Sequence, residues 1–411
     1  MSFRVSCCAF CSLMALLLLV GGGLVVWRGR DALDGVAIAM MPGDETRRVL
    51  RPAILQAMRT KDFSAVGAAL GARHAHAALL LGDARGPVWE YEVGRVRLDQ
   101  EYEVASQGKI VAALAVHQMM NVDTKVSAIL EEWKDDASVR PLTVRDVLGF
   151  TTGWDAMKKK GSAPGGCAYG MGTTSWAECV KQLAELPRPH APGDYFLYGN
   201  WHLVLAAAAA LKAKRLPLSF ESWVEAVQTH VYNPSGIAGT PKFCATGRIP
   251  AIGLTPGLNG ADMPNFAGGM CMSARQLGAI HHALQFGALR QHVKSFKVDA
   301  TARAKEMSVG LRLGNKTLGN GMWHYSQGAW LACDEEGACG ASPVIHSVGF
   351  YGAYAWMDLQ NGYWGVFMYD WWQNLKIIAA QAIFIASVLG GIAGVMCGGR
   401  GAHATPAAKR D

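Results

Sequence analysis

The sequence predicts an α/β chain of the α+β kind: an antiparallel sheet flanked by helices and interrupted by a helical insertion lobe. Three observations predict it, namely a strand pair near the start, a second strand pair near the end, and apolar runs at helical spacing between them. In the first pair, residues 75–81 and 88–93 flank the polar turn Gly82-Asp83-Ala84-Arg85-Gly86-Pro87. So short a connection joins antiparallel neighbours. In the last pair, residues 352–357 and 363–369 flank Asp358-Leu359-Gln360-Asn361-Gly362. With both pairs in one sheet, residues 121–267 form the helical lobe and a cleft lies at the seam. The chain has 411 residues and is 51% hydrophobic, enough for one large core or two small ones.

The first helical run, residues 106–120, carries Ile110, Val111, Leu114, Ala115, Val116 and Met119, an apolar spacing that lasts about four turns. Ser106 opens this run, and Lys109 lies three residues on, along the same face. A serine hydroxyl is a weak nucleophile until something accepts its proton. A lysine accepts it only when burial or a neighbouring cation lowers its pKa, and the apolar residues around Lys109 supply the burial. A helix start also leaves free backbone N–H groups, one of which can face an oxyanion. Gly108 is expected to leave room between nucleophile and base. Without these partners, a serine in this position is simply a helix cap.

The second run, residues 200–211, is opened by Tyr198-Gly199-Asn200. A phenol and a carboxamide two residues apart leave one helix end toward a shared cleft. The phenol relays a proton once a cation such as Lys109 lowers its pKa, and Asn200 orients the lysine or a substrate carbonyl. The plain alternative is a buried tyrosine beside an asparagine cap.

Further segments stand in a telling order: Leu142-Thr143-Val144-Arg145-Asp146-Val147-Leu148 with Thr151-Thr152-Gly153-Trp154, Pro192-Gly193-Asp194-Tyr195 before Tyr198, Asn233-Pro234-Ser235-Gly236, and Ala267-Gly268-Gly269-Met270. With the two signals above, they make residues 75–370 resemble the serine beta-lactamase and penicillin-binding protein superfamily, in particular its class C-like branch of esterases and amidases. The resemblance implies a covalent mechanism with Ser106 as nucleophile, Lys109 and Tyr198 in acid/base roles, and Asn200 beside them.

The family's third motif places a cation, a hydroxyl and a glycine on an edge strand. Here the matching stretch is Val344-Ile345-His346-Ser347-Val348-Gly349-Phe350-Tyr351-Gly352. Aligning Gly349 and Gly352 puts Ser347 and Val348 at the positions of cation and hydroxyl, and leaves His346 one residue early. A one-residue offset turns a strand side chain to the other face, so His346 reaches the cleft only across a bulge. The resemblance further implies an oxyanion hole made by the N–H groups of Phe350 and Ser106, with Gly349 allowing close approach of the strand. Ser347 brings no positive charge to hold a carboxylate. The expected activity is therefore cleavage of an ester or amide in a small-molecule or peptide-like substrate, with little or no action on beta-lactams. The alternatives are a beta-lactamase or D-amino-acid peptidase, or a non-catalytic scaffold. Against the scaffold stands the presence of all four site residues together.

No cofactor and no metal are expected: His74 with His76, and His281 with His282, lack partners at metal-site spacing. The net charge of +7 is scattered, with no dense arm, and argues against a nucleic-acid partner. The triple lysine at residues 158–160 follows Trp154-Asp155 in an expected cleft-side loop.

Both ends point to a membrane. Residues 5–27 contain no charged side chain and are long enough to span; Arg4 precedes them and Arg28 and Arg30 follow. An uncleaved signal anchor is favoured over a removed signal peptide. Residues 377–397 are also uncharged, with Gln381 and Ser387 as their ordinary polar side chains. They form either a second span or a helix packed on the sheet. If they span, Arg400, Lys409 and Arg410 favour a cytosolic tail and a catalytic body on the lumenal or extracellular side. The expected organisation is thus an anchor or signal over 1–30, a hydrolase domain over 31–375 and an apolar helix with a basic tail over 376–411. Cys7, Cys8, Cys11 and Cys397 lie in the apolar ends, and six cysteines lie in the body. Cys333 and Cys339 can close a loop in an oxidising compartment, where Asn315-Lys316-Thr317 is a glycosylation acceptor; free thiols in a reducing one are the alternative.

Overall fold

Strand β1 (Ala77–Asp83) and strand β2 (Gly86–Val93) form the first hairpin, as the polar turn predicts. A computed structural model of the protein describes residues 50–71, 76–133, 141–154, 175–244, 264–266, 268–304, 306–307, 323–332, 344–349 and 352–369. All of them belong to one compact unit, Ala37–Tyr369. After β2 come the short strands β3 (Tyr102–Glu103), β4 (Tyr195–Phe196), β5 (Lys242–Phe243), β6 (Met270–Met272), β7 (Glu306–Met307), β8 (Trp323–Tyr325) and β9 (Trp330–Ala332). The longer strands β10 (Val344–Gly349), β11 (Ala353–Asp358) and β12 (Tyr363–Tyr369) end the series.

The main sheet runs β2-β1-β12-β11-β10-β9-β8, with every pairing antiparallel. The first hairpin and the last thus lie side by side, with Leu80 opposite Val366 and Leu79 opposite Phe367. Leu80, Val366 and Ala355 line one face; Leu79, Phe367 and Tyr354 line the other. All six are buried. Both faces are covered, which is why β1 and β12 read as continuous apolar runs rather than alternating ones. β2 lies at the sheet edge, where Pro87, Glu90 and Glu92 are exposed. Proline and charge there deter further strand pairing.

Helix α1 (Arg51–Thr60) has Pro52 in its first turn, where its missing N–H breaks no helical bond. Helix α2 (Ser64–Gly71) follows, and Phe63 just before it stacks on Trp89 of β2 at 5.2 Å. Helix α3 (Gly108–Met119) carries the first site motif and is buried on nearly every side. Beyond it come α4 (Val144–Leu148), α5 (Trp176–Ala184), α6 (Trp201–Ala213) and α7 (Phe220–Val227). Thr143 and Asp146 cap α4 reciprocally, each side chain meeting the other's backbone N–H. Every residue of α6 from Trp201 to Leu211 is buried, as befits a helix that is apolar all round. It packs against α3, α4 and α5, so the two site motifs sit on neighbouring helices.

Helix α8 (Ala274–Gln285), capped by Ser273 and Gln276, packs on β1, β11 and β12. Trp364 of β12 fills the space between strand and helix: a Cβ on either Gly82 or Gly278 would overlap its ring. A smaller sheet, β3-β6-β5, joins the approach to α3 with the approach to α8. A disulfide between Cys244 and Cys271 ties the end of β5 to β6, with Cα atoms 5.6 Å apart. Cys179 is also disulfide-bonded, so at least three of the six body cysteines are oxidised. The loop from Cys333 to Cys339 lies outside the described residues, as do Asn315 and the triple lysine at 158–160. Among the described residues no helix is long and apolar enough to cross a membrane; both apolar ends, 5–27 and 377–397, lie outside them.

Candidate active site

The chain enters the site through a strained turn. Val104 is pinned by its N–H to the Met270 carbonyl of β6 at 3.0 Å, and Ala105 then adopts φ 45°. A residue with a Cβ meets steric resistance in this left-handed region, at a cost of about 1–3 kcal/mol that surrounding structure must hold in place. A single turn of 3₁₀ helix, Ala105–Gln107, feeds into α3. Ser106 therefore stands at the head of the helix as expected. It remains half-exposed while Gln107, Gly108 and Lys109 are buried. Gly108 does not face the gap between nucleophile and base: a Cβ there would meet Met270 and the Phe266 carbonyl.

Lys109 is 2% exposed, with its Nζ 2.7 Å from Ser106 Oγ and 4.7 Å from the centroid of the Tyr198 ring. Burial lowers its pKa from 10.5 to about 7. The ring face favours the ammonium by about 0.5–2 kcal/mol, whereas a shift of this size is worth about 4–5 kcal/mol; burial wins. Near neutral pH, then, a large share of Lys109 is an uncharged amine at hydrogen-bond range of the serine hydroxyl.

Tyr198 reaches the same place from the other motif. Leu197 donates its N–H to the Phe150 carbonyl at 2.9 Å. The Tyr198 ring stacks on Trp330 at 5.4 Å and meets Phe150 and Tyr325 edge-on at 5.4 and 5.7 Å. His202 stacks on Phe150 at 4.6 Å, and its Nε2 lies 3.2 Å from Thr152 Oγ1. Burial pushes the His202 pKa down to about 3, so it is a neutral packing ring. Asn200 is the N-cap residue of α6. Its carbonyl accepts from Leu203 N at 3.0 Å and Val204 N at 3.3 Å, while its carboxamide makes no cap bond. Ser106, Lys109 and Tyr198 are thus drawn together, with Asn200 two residues from the ring but not seen to grip the lysine.

The third motif closes the site from the sheet. Ser347 Oγ donates to the Ser106 carbonyl at 3.1 Å. Gly349 runs so close to the preceding turn that a Cβ on it would overlap the Val104 carbonyl oxygen. Pairing between β10 and β11 is regular from Val344 through Gly349, with no bulge. His346 is accordingly turned away from Ser347, with its buried ring 5.7 Å from Tyr354. The sequence alignment let His346 join the substrate-facing residues only across a bulge; with no bulge, the period of two keeps it on the other face of the sheet. Phe350 lies outside the described residues. Gln107 escaped the sequence reading altogether: it is fully buried, and its Nε2 donates to the carbonyls of Ser347 at 2.6 Å and Ala353 at 3.3 Å. So did the aromatic frame of Phe150, Tyr325 and Trp330. Among the described residues no group of three or more His, Cys, Asp or Glu is placed to hold a metal ion. His76 accepts from Arg95 N at 3.2 Å, and His281 Nδ1 lies 2.8 Å from the Leu277 carbonyl.

Known structures share this architecture. A candidate beta-lactamase from Bacteroides dorei DSM 17855 superposes with a TM-score of 0.56 at 21% identity, over 75% of this chain and 91% of its own. EstCE1, a hydrolase with promiscuous acyltransferase activity, gives a TM-score of 0.56 at 16% identity, over 77% of this chain and 94% of its own. The octameric penicillin-binding protein homologue from Pyrococcus abyssi gives 0.51 at 13% identity, over 78% and 73%. At such identities the likeness speaks for the fold. Comparison with curated proteins gives no match. The sequence profile of the Beta-lactamase family, by contrast, matches residues 63–389, most of the chain and all three motifs: the protein belongs to the Beta-lactamase family.

Proposed function

We propose that the protein is a serine hydrolase that cleaves an ester or amide bond through an acyl-enzyme on Ser106. The observation that carries this reading is the 2.7 Å approach of a buried Lys109 amine, with its pKa near 7, to the Ser106 hydroxyl. Neutral Lys109 takes the hydroxyl proton as Oγ attacks the substrate carbonyl. The negative charge that develops on the carbonyl oxygen is met by backbone N–H groups at the head of α3 and along β10. Tyr198, beside the lysine, passes a proton to the departing alkoxide or amine. Water then attacks the acyl group, the same groups return the protons, and Ser106 is freed.

The substrate class follows from the walls. Ser347 takes the position that the family resemblance assigns to a cation, and its hydroxyl is engaged with the Ser106 carbonyl. No side chain at that position pairs with a substrate carboxylate. The half-buried ring of Tyr198, backed by the buried Trp330 on which it stacks, stands beside Ser106 and Lys109 instead. This supports a neutral ester or linear amide over a beta-lactam or a D-amino-acid peptide, and the promiscuous acyltransferase activity of the hydrolase EstCE1 is in keeping with it. The uncharged run at residues 5–27 supports tethering of this body to a membrane, which carbonate extraction tests; its lumenal or extracellular placement rests on residues 377–397 also spanning, with Arg400, Lys409 and Arg410 left in the cytosol, which protease protection tests.

Reaction with a fluorophosphonate followed by mass mapping tests the catalytic reading. The label is expected on Ser106 and is expected to vanish in Lys109→Ala. Folded wild-type protein that takes up no label overturns the reading in favour of a scaffold. A panel of short-chain esters, linear amides, D-amino-acid peptides and a chromogenic cephalosporin then ranks the substrate classes.

A further inference from the structure

We infer that Gln107 is a positioning residue for the oxyanion-binding side of this site, acting through the backbone of β10 and β11; the inference rests on the Ser106 acyl-enzyme reading. Two donors must converge on one developing charge at about 2.7–3.1 Å each. One belongs to the helix head at Ser106, the other to the strand beyond Ser347. These pieces lie about 240 residues apart in sequence, so the spacing between them must be set by contacts that bridge helix and sheet.

Gln107 is that bridge. Its Nε2 reaches the Ser347 carbonyl at 2.6 Å and the Ala353 carbonyl at 3.3 Å, one on each of the paired strands β10 and β11. Ser347 Oγ returns a bond to the Ser106 carbonyl at 3.1 Å. The two bonds cross between the same short segments and fix both their separation and their slide. Gly349 completes the fit by letting the strand lie against the Val104 carbonyl.

The amide is a costly choice for a residue that only fills space. Gln107 is fully buried, and its Oε1 has no hydrogen-bond partner among the described residues, a penalty that an apolar side chain would avoid. Turning the amide over would set Oε1 against two carbonyl oxygens, so the NH₂ orientation is fixed by its surroundings. A buried donor retained at that cost, one residue from the nucleophile, is accounted for by its hold on the strand.

The test is Gln107→Met, which keeps length and bulk and deletes the donor. Burst kinetics with p-nitrophenyl butyrate are expected to show acylation slowed about 10- to 100-fold with KM changed less than twofold. Affinity for phenylboronic acid, which becomes tetrahedral on serine and places an oxygen in the hole, is expected to fall in parallel with acylation. A loss confined to KM, a loss that tracks the unfolded fraction, or unchanged acylation overturns the inference. Should the methionine variant fail to fold, Ser347→Ala deletes the return bond with Gln107 intact. It is then expected to slow acylation about 3- to 10-fold with the same parallel loss of boronate affinity, and equal rates overturn the inference. Fluorophosphonate labelling of the wild type separates the two levels: no label at Ser106 removes the catalytic reading, whereas normal labelling with an indifferent Gln107→Met removes this inference alone.

Discussion

Replacing Lys109 by methionine should make the protein more stable while abolishing acylation. The unfolded lysine titrates at its ordinary 10.5 and the folded one at about 7. The gap corresponds to about 4–5 kcal/mol against folding wherever both states would otherwise be protonated. The sign follows from proton counts. Between pH 7 and 10.5 the unfolded chain holds the Lys109 proton more often than the folded one, so stability rises with pH, by up to about 1.4 kcal/mol per unit. Below about pH 7 the full penalty applies; above 10.5 it is gone. The Ser106 contact and the Tyr198 ring return about 1–3 kcal/mol. At pH 7 the methionine variant should therefore gain about 1–4 kcal/mol. Urea denaturation of both proteins from pH 6 to 10 checks this, and the difference curve isolates Lys109 from every other titrating group. Parallel curves across pH 7–10, or a variant less stable at pH 7, would refute the burial argument. In the wild type, acylation should rise with pH to half its maximum near 7, falling to about one-tenth at pH 6.

Three further outcomes follow from the geometry. Tyr198→Phe keeps the stack on Trp330 and should cost about 0.5–1.5 kcal/mol of stability, yet acylate about 10²–10³-fold more slowly; stopped-flow bursts decide, and wild-type rates would remove the phenol from the proton path. Gly349→Ala drives a methyl into the Val104 carbonyl and should cost about 1–3 kcal/mol together with fluorophosphonate reactivity; a fully reactive, stable variant would mean the strand need not lie so close. Cys244→Ser opens a bridge with a sequence separation of 27, which the chain-entropy relation values at about 3–4 kcal/mol. Differential scanning calorimetry should show a loss of that size in the variant, and a larger one in reduced wild type, where the Cys179 bridge opens as well.

Much of this site is written locally in the chain. Three residues of spacing put Ser106 and Lys109 on one helical face, and the apolar residues after them announce the burial that tunes the amine. The outer strand pairs were legible to within two residues because short polar turns bracket them, and the glycine spacing of β10 singled out Ser347, whose hydroxyl meets the Ser106 carbonyl. What escaped is what depends on partners far along the chain. Gln107 looks unremarkable until β10 arrives beside it. Trp330 and Tyr325 belong to strands of three residues each, too short to leave a period. The Cys244–Cys271 bridge could not be chosen from six body cysteines, and the left-handed Ala105 carries no glycine to advertise it.

The neighbouring placement of β1 and β12 also governs how the protein comes into being. A ribosome releases β1 about 280 residues before its partner, which at about 5–20 residues per second is a wait of about 14–56 s. For most of that interval, until α8 (Ala274–Gln285) emerges and can pack on β1, Leu79, Leu80 and Leu81 lack both the helix and the strand that finally cover them. Biogenesis, more than the finished enzyme, is where this topology is exposed to aggregation, and where escort by a holding chaperone would matter most.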